Sequence, residues 1–362
     1  MTKDGRRRGE AILRDHWEGS GGIASRALTA VTAPLSALFG VGVRARGFLH
    51  DRDFLPVRRG PIPVVSVGNL SVGGTGKTPV TRWVVGALLQ MGHRPAIVAR
   101  GYGEDELALH RRWHPDLPVV ANPDRPTGVE AAAEAGATVA VLDDGFQHRR
   151  LARELDIVLV SAAQPFPPRL LPRGPYRQPL SCLMRAHVVL VTAGIRAGQG
   201  QGQLARARLR ADELRPHMGP GTAVDVLPIR PRGWQDLEGR SISPPTGDVL
   251  AACSVADPEG FRSLAEAVLE RPGGVDLAAW PDHHPYDEAD LHRIVSLAGE
   301  RTVITTEKDA VKLMPLWEAS GTGVRPPAVL AIEARPGERL AALLRERLAG
   351  AAPAHPPTGG GS

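Results

Sequence analysis

Pro63-Val-Val-Ser-Val-Gly-Asn-Leu-Ser-Val-Gly-Gly-Thr-Gly-Lys-Thr-Pro79 decides how this chain is read. It opens as a Val-rich apolar run, the pattern of a parallel strand buried on both faces. It then breaks into Gly68, Gly73, Gly74 and Gly76, closes on Lys77-Thr78, and gives way to a helical pattern from about Pro79 to Gln90. Strand, glycine loop, Lys-Thr and helix in that order are the context of a phosphate-binding loop. Glycines let backbone N–H groups turn inward around phosphate oxygens, and the helix N-terminus adds partial positive charge. The stretch predicts an ATP cradle built from Ser71, Val72, Gly73, Gly74, Thr75, Gly76, Lys77 and Thr78. Lys77 would reach the β- and γ-phosphates, and the Thr78 hydroxyl would ligate Mg2+. One position departs from the common pattern, because Ser71 stands where glycine is usual, six residues before the lysine.

Outward from the loop, strands and helices alternate. Arg94–Arg100, Leu117–Ala121, Thr138–Leu142, Leu155–Ser161 and His187–Thr192 read as strands, the last closing a first sheet. An alanine-rich helix is expected at Thr127–Ala135 and an Arg-rich one at Gln199–Arg215. A second α/β unit follows, with strands at Val249–Ser254, Arg301–Thr306 and Ala328–Ile332 and helices between and after them. Such alternation predicts parallel α/β sheets with ligands at the strand C-termini. The expected fold class is α/β: a P-loop kinase-type parallel-sheet domain, a second, smaller α/β domain and an N-terminal apolar helix. The boundaries read as 1–52 for the basic N-terminus and membrane-associating helix, and 53–231 for the nucleotide-binding domain. They continue as 232–247 for a linker, 248–349 for the second domain and 350–362 for a disordered Pro/Gly-rich tail.

With 362 residues, 42% of them hydrophobic, the chain has enough apolar material for two cores. Its two cysteines, Cys182 and Cys253, give no disulfide framework and fit a reducing compartment. The net charge of +5 suits an anionic membrane or substrate, or reflects Arg-rich usage throughout. Aromatics make up only 4% and do not interleave with basic residues, which disfavours a nucleic-acid platform. Ala27 to Val43 carries no charge and is flanked by Arg26, Arg44 and Arg46. That run reads either as an interfacial helix near anionic headgroups or as a core helix packed on the first domain.

Phosphoryl transfer needs a cradle, a metal, a group that handles the acceptor proton, and cations for developing charge. The metal candidates are Asp143 and Asp144, which close the apolar strand Thr138–Leu142, together with Thr78. Gln147 and His148 follow at once and are candidates for nucleotide contact. In the second half, Asp282-His283-His284 sits in a Pro-bounded turn, and a His meeting a carboxylate from the other domain suits proton transfer. Thr306-Glu-Lys-Asp309 ends a strand that either faces the same cleft or caps a helix.

VGNLSVGGTGKTP at 67–79, RGYG at 100–103, DDGFQH at 143–148, LLPRGPYRQPL at 170–180, PDHHPY at 281–286 and TTEKDAVKL at 305–313 form an ordered set. Together they resemble the tetraacyldisaccharide 4′-kinase family, in order and approximate spacing, over most of the chain. That family's loop is similar at Ser71. The resemblance implies an enzyme of lipid A biosynthesis, acting as a monomer on the cytoplasmic face of the inner membrane. Its reaction is transfer of the ATP γ-phosphate to the 4′-hydroxyl of a tetraacyldisaccharide 1-phosphate, an anionic lipid, giving lipid IVA. The resemblance also implies Asp105 and His283 as the proton-accepting pair, with Arg100 and Arg177 stabilising charge. The segment around Asp105 is compressed to GEDEL, so Glu104 and Glu106 are alternative acids. Gln178 stands where the family usually has Glu. The rival expectation is a membrane-associated P-loop switch ATPase, against which Val72 occupies the position of that class's signature lysine.

Overall fold

In the computed structural model, residues 17, 23–101, 103–194, 200–271, 273–320 and 325–350 are described. The polar, basic segment at 1–16 and 18–22, Tyr102 of the RGYG motif and the expected disordered tail from 351 onward lie outside the described residues.

The apolar run before the glycines is β1 (Val64–Asn69), buried at every position. It pairs in parallel with β4 (Val139–Asp143) on one side and β5 (Leu155–Ser161) on the other. Both faces of β1 are covered, which is why its sequence does not alternate. Val65 and Val67 pack among Val84, Val85 and Leu88 of α2 (Lys77–Gln90) and Leu340 and Leu344 of α9 (Glu338–Leu348). Val64 packs on the other face among Val98 of β2 (Pro95–Ala99) and Val129 and Ala132 of α4 (Arg125–Glu134). Each such valine contributes about 1.5–3 kcal/mol through burial.

β3 (Val119–Ala121) and β6 (Val188–Ala193) complete the strands expected in the first half. The sheet does not close at β6. It continues through β7 (Ala223–Gln235), which pairs in parallel with β6 over 223–228 and antiparallel with β12 (Ala328–Ala334) over 229–235. A short β8 (Ser241–Ile242) pairs beside its end. Beyond β12 lie β11 (Thr302–Thr306), β9 (Val249–Cys253) and β10 (Val275–Ala279). The result is one twelve-stranded, mostly parallel sheet with β7 as its seam.

The sequence reading has no strand at 223–231 and makes 232–247 a linker. That linker begins inside β7 and contains β8. Pro228, Pro231 and Gly233 conceal the strand, because proline is normally excluded from central strands. Most of β7 has a ladder on one side only, and a register shift in β12 between Ala331 and Ile332 faces its Pro231–Gly233 stretch. Proline is tolerated where one N–H is not needed. α3 (Glu104–Trp113) was also unanticipated. Glu104, Asp105 and Glu106 fill its first turn and His110, Arg111 and Arg112 its last, complementing the helix dipole. The flanking helices α5 (Gly200–Leu214), α6 (Pro258–Val268), α7 (Glu288–Ala298) and α8 (Glu307–Ser320) cover the sheet faces.

α1 (Ile23–Asp51) is longer than the uncharged run suggested and is not a core helix. Its stretch Leu28–Asp51 has the length and composition to cross a bilayer, and only 11% of its most apolar window is buried. Val31, Leu35, Leu38, Val41 and Phe48 are all more than half exposed. It is tied to the body by Ser36 Oγ donating to Leu170 O at 2.9 Å and by Arg149 reaching Gly47 O and Asp51.

Gly68 is the tightest point of β1. A Cβ there would lie 2.6 Å from Phe146 Cβ and 2.7 Å from Phe146 N. Gly68→Ala is expected to destabilise by about 1–3 kcal/mol, seen as a lower thermal midpoint. Because the clash is with Cβ and backbone, the double variant with Phe146→Ala is expected to recover none of it.

Candidate active site

At the end of β1 the chain stops being buried and opens. Gly73 and Gly74 are exposed, and Gly73 and Gly76 take φ of 95° and 84°, the left-handed region that favours glycine. Gly76 then caps α2, so Lys77 and Thr78 enter the helix's first turn. The loop is fixed from behind. Asn69 Nδ2 donates to Thr75 Oγ1 at 2.8 Å, Thr192 Oγ1 donates to Thr75 O at 3.1 Å, and Val72 N donates to Pro175 O at 2.9 Å. Ser71 is 1% exposed and its Oγ accepts from Gln164 Nε2 at 2.5 Å. The serine thus pins the cradle to the proline-rich loop, a contact that glycine lacks.

Beside the cradle stand Asp143, at the end of β4, and Asp144, with a φ of 57°. Arg177 grips Asp144 with both terminal nitrogens, at 2.9 and 3.0 Å, and also donates to Asn69 Oδ1. Lys77 Nζ lies 3.8 Å from Asp144 Oδ1. Burial pushes the Asp144 carboxyl up, but the Arg177 bonds and the Lys77 charge outweigh it and bring it to about 2. Asp143 accepts on Oδ2 from the buried His110 at 2.9 Å, while its buried Oδ1 has no hydrogen-bond partner. That orphaned oxygen is the observation that fits a hard cation. Among the described residues there is no group of three His, Cys, Asp or Glu that could hold a metal. The arrangement suits an ion held by one or two carboxylates, a hydroxyl and phosphate oxygens, as Mg2+ is.

The other candidates near this end differ in what they touch. Gln147 Nε2 donates to Asn69 O at 2.6 Å and so braces β1. His148 is held to about 4, first by burial and then by the Arg125 charge, which keeps it neutral. Arg100, at the end of β2, is exposed, and its charge is felt at Arg125 and His148. Gln178 Oε1 accepts from Arg185 Nη2 at 3.2 Å.

Asp105 separates itself from its acidic neighbours. Glu104 is exposed and Glu106 half-buried, whereas Asp105 is 6% exposed in the first turn of α3. His283 reaches it from the other half of the sheet, with Nδ1 at 3.0 and 3.1 Å from the two carboxylate oxygens. Gly103, at φ 82°, makes room, since a Cβ there would lie 3.3 Å from the imidazole. Lys308 Nζ lies 3.7 Å and Lys312 Nζ 3.6 Å from Asp105 Oδ2. Burial pushes the Asp105 carboxyl up, and the His283 hydrogen bond and Lys308 charge overcome this and bring it to about 2. His284 serves the fold, its Nε2 bonded to Asp290 at 2.6 Å. Thr306 and Asp309 cap α8 reciprocally, so the TTEKD stretch is a capped helix start, from whose first turn Lys308 reaches Asp105.

The sequence reading gave no role to His110, Arg125, Lys308 or Lys312. Arg125 is 1% exposed and donates to Asn122 O and Asp143 O. Lys308 and Lys312 are four apart on a helix, a spacing that puts both on one face.

The family model LpxK, tetraacyldisaccharide-1-P 4′-kinase, matches residues 28–112 and 104–349. A protein of Halorhodospira halophila named tetraacyldisaccharide 4′-kinase is 37% identical over 343 residues, covering 89% of this chain and 92% of that one. A namesake from Anaeromyxobacter dehalogenans strain 2CP-1 is 37% identical over 337 residues, covering 84% of this chain and 85% of that one. Among solved structures, "apo" form LpxK from Aquifex aeolicus in complex with ATP superposes with a TM-score of 0.67 at 27% identity, covering 88% of this chain and 99% of that one. Matched in motif, in length and in fold, the chain belongs to the tetraacyldisaccharide-1-P 4′-kinase family.

Proposed function

We propose that this chain transfers the γ-phosphate of ATP to the 4′-hydroxyl of a tetraacyldisaccharide 1-phosphate, giving lipid IVA in lipid A biosynthesis. The observation that carries the reading is a buried carboxylate, Asp105, paired with His283 from the other half of the sheet, in a member of this family that also carries a glycine loop ending in Lys77-Thr78. The switch-ATPase alternative is not favoured, because the relatives are named as kinases and Val72 replaces the lysine such switches use.

In this reading the backbone from Ser71 to Gly76 cradles the phosphates. Lys77, Arg177 and Arg100 balance charge on the transferring group. Mg2+, when bound, would be held by Asp143 and Thr78 with Asp144 beside them, and would neutralise charge on the β- and γ-phosphates. Asp105 takes the proton of the acceptor hydroxyl, with His283 orienting it. A carboxylate held near 2 is a weak base, so its proton arrives late, once the oxygen–phosphorus bond has begun to form. A loose phosphoryl-transfer transition state asks no more of it than that. Gln147 and His148 line the nucleotide end.

We assign α1 to the membrane surface. Its exposed Val31, Leu35, Leu38 and Val41 and the exposed Arg44 and Arg46 fit an apolar layer under anionic headgroups. An ATP-using enzyme on such a surface belongs on the cytoplasmic face of the inner membrane, and we take it to work as a monomer. The two-domain division also stands as a proposal, with β7 shared between the halves.

The deciding assay is ATP, Mg2+ and purified 1-phosphorylated tetraacyldisaccharide, followed for the 4′-phosphorylated product; folded enzyme that makes none would refute the assignment. Asp105→Ala is expected to lower kcat by about 10²–10⁴-fold while leaving ATP affinity within a few-fold. Equal losses in both would remove Asp105 from proton transfer. The double change Leu38→Glu and Val41→Glu is expected to abolish co-sedimentation with anionic phospholipid vesicles without lowering the thermal midpoint. Undiminished sedimentation would refute the role given to α1.

A further inference from the structure

The imidazole of His283 has two neighbours of opposite character. Its Nδ1 faces the Asp105 carboxylate at 3.0 Å, and its Nε2 faces Lys308 Nζ at 3.0 Å. Asp282 Oδ2 stands 3.9 Å from the same Nε2. An ammonium has three donors and no acceptor, so a ring nitrogen bonded to it must offer its lone pair. Nε2 is then unprotonated and the single ring proton sits on Nδ1, where it donates to Asp105. The opposite tautomer would set an N–H against the ammonium and leave a bare nitrogen against the carboxylate.

We infer that Lys308 is a positioning residue that fixes His283 as its neutral Nδ1–H tautomer and so commits that N–H to Asp105. This rests on the reading of Asp105 and His283 as the proton-handling pair.

The lysine is itself well placed for the task. Besides His283 it has Asp282 Oδ1 at 3.2 Å, Asp105 Oδ2 at 3.7 Å and Glu106 Oε1 at 3.9 Å. Burial favours its neutral form, but these three carboxylates prevail and keep it charged. Its helix is anchored immediately downstream. The fully buried Asp309 accepts from Ser254 N at 3.0 Å and from Thr306 Oγ1 at 2.7 Å. Lys312, one turn on, is within 3.6 Å of Asp105 but bonds to His284 O, Ser254 and Asp309 rather than to the imidazole. Lys312 therefore supplies charge without touching the tautomer, and serves as the internal comparison.

Two consequences follow. The Asp105 hydrogen bond, with the Asp282 charge, lifts the imidazole above its ordinary value, while burial and the Lys308 cation oppose protonation, and a second proton on His283 must displace the Lys308 contact. Without Lys308 the imidazole protonates more readily, and the acid limb of the rate profile moves to higher pH. The other charges facing the pair, Glu106 and Lys312, are unchanged by that substitution.

The test uses the full chain labelled with 15N-histidine, the His283 signals being identified by their loss in His283→Gln. In the wild type at pH 8, Nε2 is expected at the shift of an unprotonated nitrogen and Nδ1 at that of a protonated one. Lys308→Met is expected to give mixed or reversed tautomers, to lower kcat by about tenfold or more at unchanged KM for ATP, and to move the acid limb up by on the order of one pH unit. Lys308→Arg, which keeps a donor, is expected to restore part of each, and Lys312→Met to leave the tautomer as it is. A protonated Nε2 in the wild type overturns the proposal, as does a folded Lys308→Met protein with unmoved tautomer and unmoved acid limb. If Lys308→Met does not fold, the wild-type spectrum decides alone. The tautomer is read without turnover, so absence of kinase product would refute the kinase reading while leaving this inference separately decided.

Discussion

One strand, β7, joins the two halves of the molecule. β7 hydrogen-bonds to β6 along its first half and to β12 along its second, so the two halves of the molecule are one ladder. Backbone groups in a buried sheet must find partners, and a ladder is far stiffer than a flexible linker. That stiffness is what allows Asp105 from one half to meet His283 and Lys308 from the other at hydrogen-bonding and ion-pair distances. Had 232–247 been the free linker its composition suggests, those contacts would have depended on chance encounter.

The elements that bury both faces were legible in the sequence. β1, β4, β5 and β6 announce themselves as unbroken apolar runs, and the glycines and Lys-Thr after β1 name their own task. What escaped the reading had a local rule broken for a non-local reason. β7 carries Pro228 and Pro231 because each half of it has a single neighbour, a circumstance that only the assembled sheet creates. α3 is short and polar, and its stability comes from Leu107 and Leu109 buried beneath it and from charges at its two ends. In the site, His283 stood out in its Asp-His-His turn, but its pairing with Asp105, 178 residues away, was reached through family resemblance. Burial then distinguished Asp105 from Glu104 and Glu106, which no spacing rule could do. Lys308 and Lys312 lay inside the quoted TTEKDAVKL motif but received no role, because a lysine pair four apart on a helix usually faces water.

The two carboxylate centres follow the same electrostatic logic with different ends. Asp144 is held ionised by Arg177 and Lys77 beside the glycine loop, and Asp105 by His283, Lys308 and Lys312. In both, burial alone would neutralise the acid, and neighbouring cations prevent it. Asp143 differs. One of its carboxylate oxygens meets the buried His110, and the other has no hydrogen-bond partner.

α3 joins these centres. Asp105 lies in its first turn and His110, which holds Asp143, lies five residues later. At 1.5 Å of rise per residue they are about 7.5 Å apart along the axis. A helix does not stretch, so Asp105 and the contact that holds Asp143 are spaced as marks on a ruler. Any tilt of that rod moves Asp105 and His110 together.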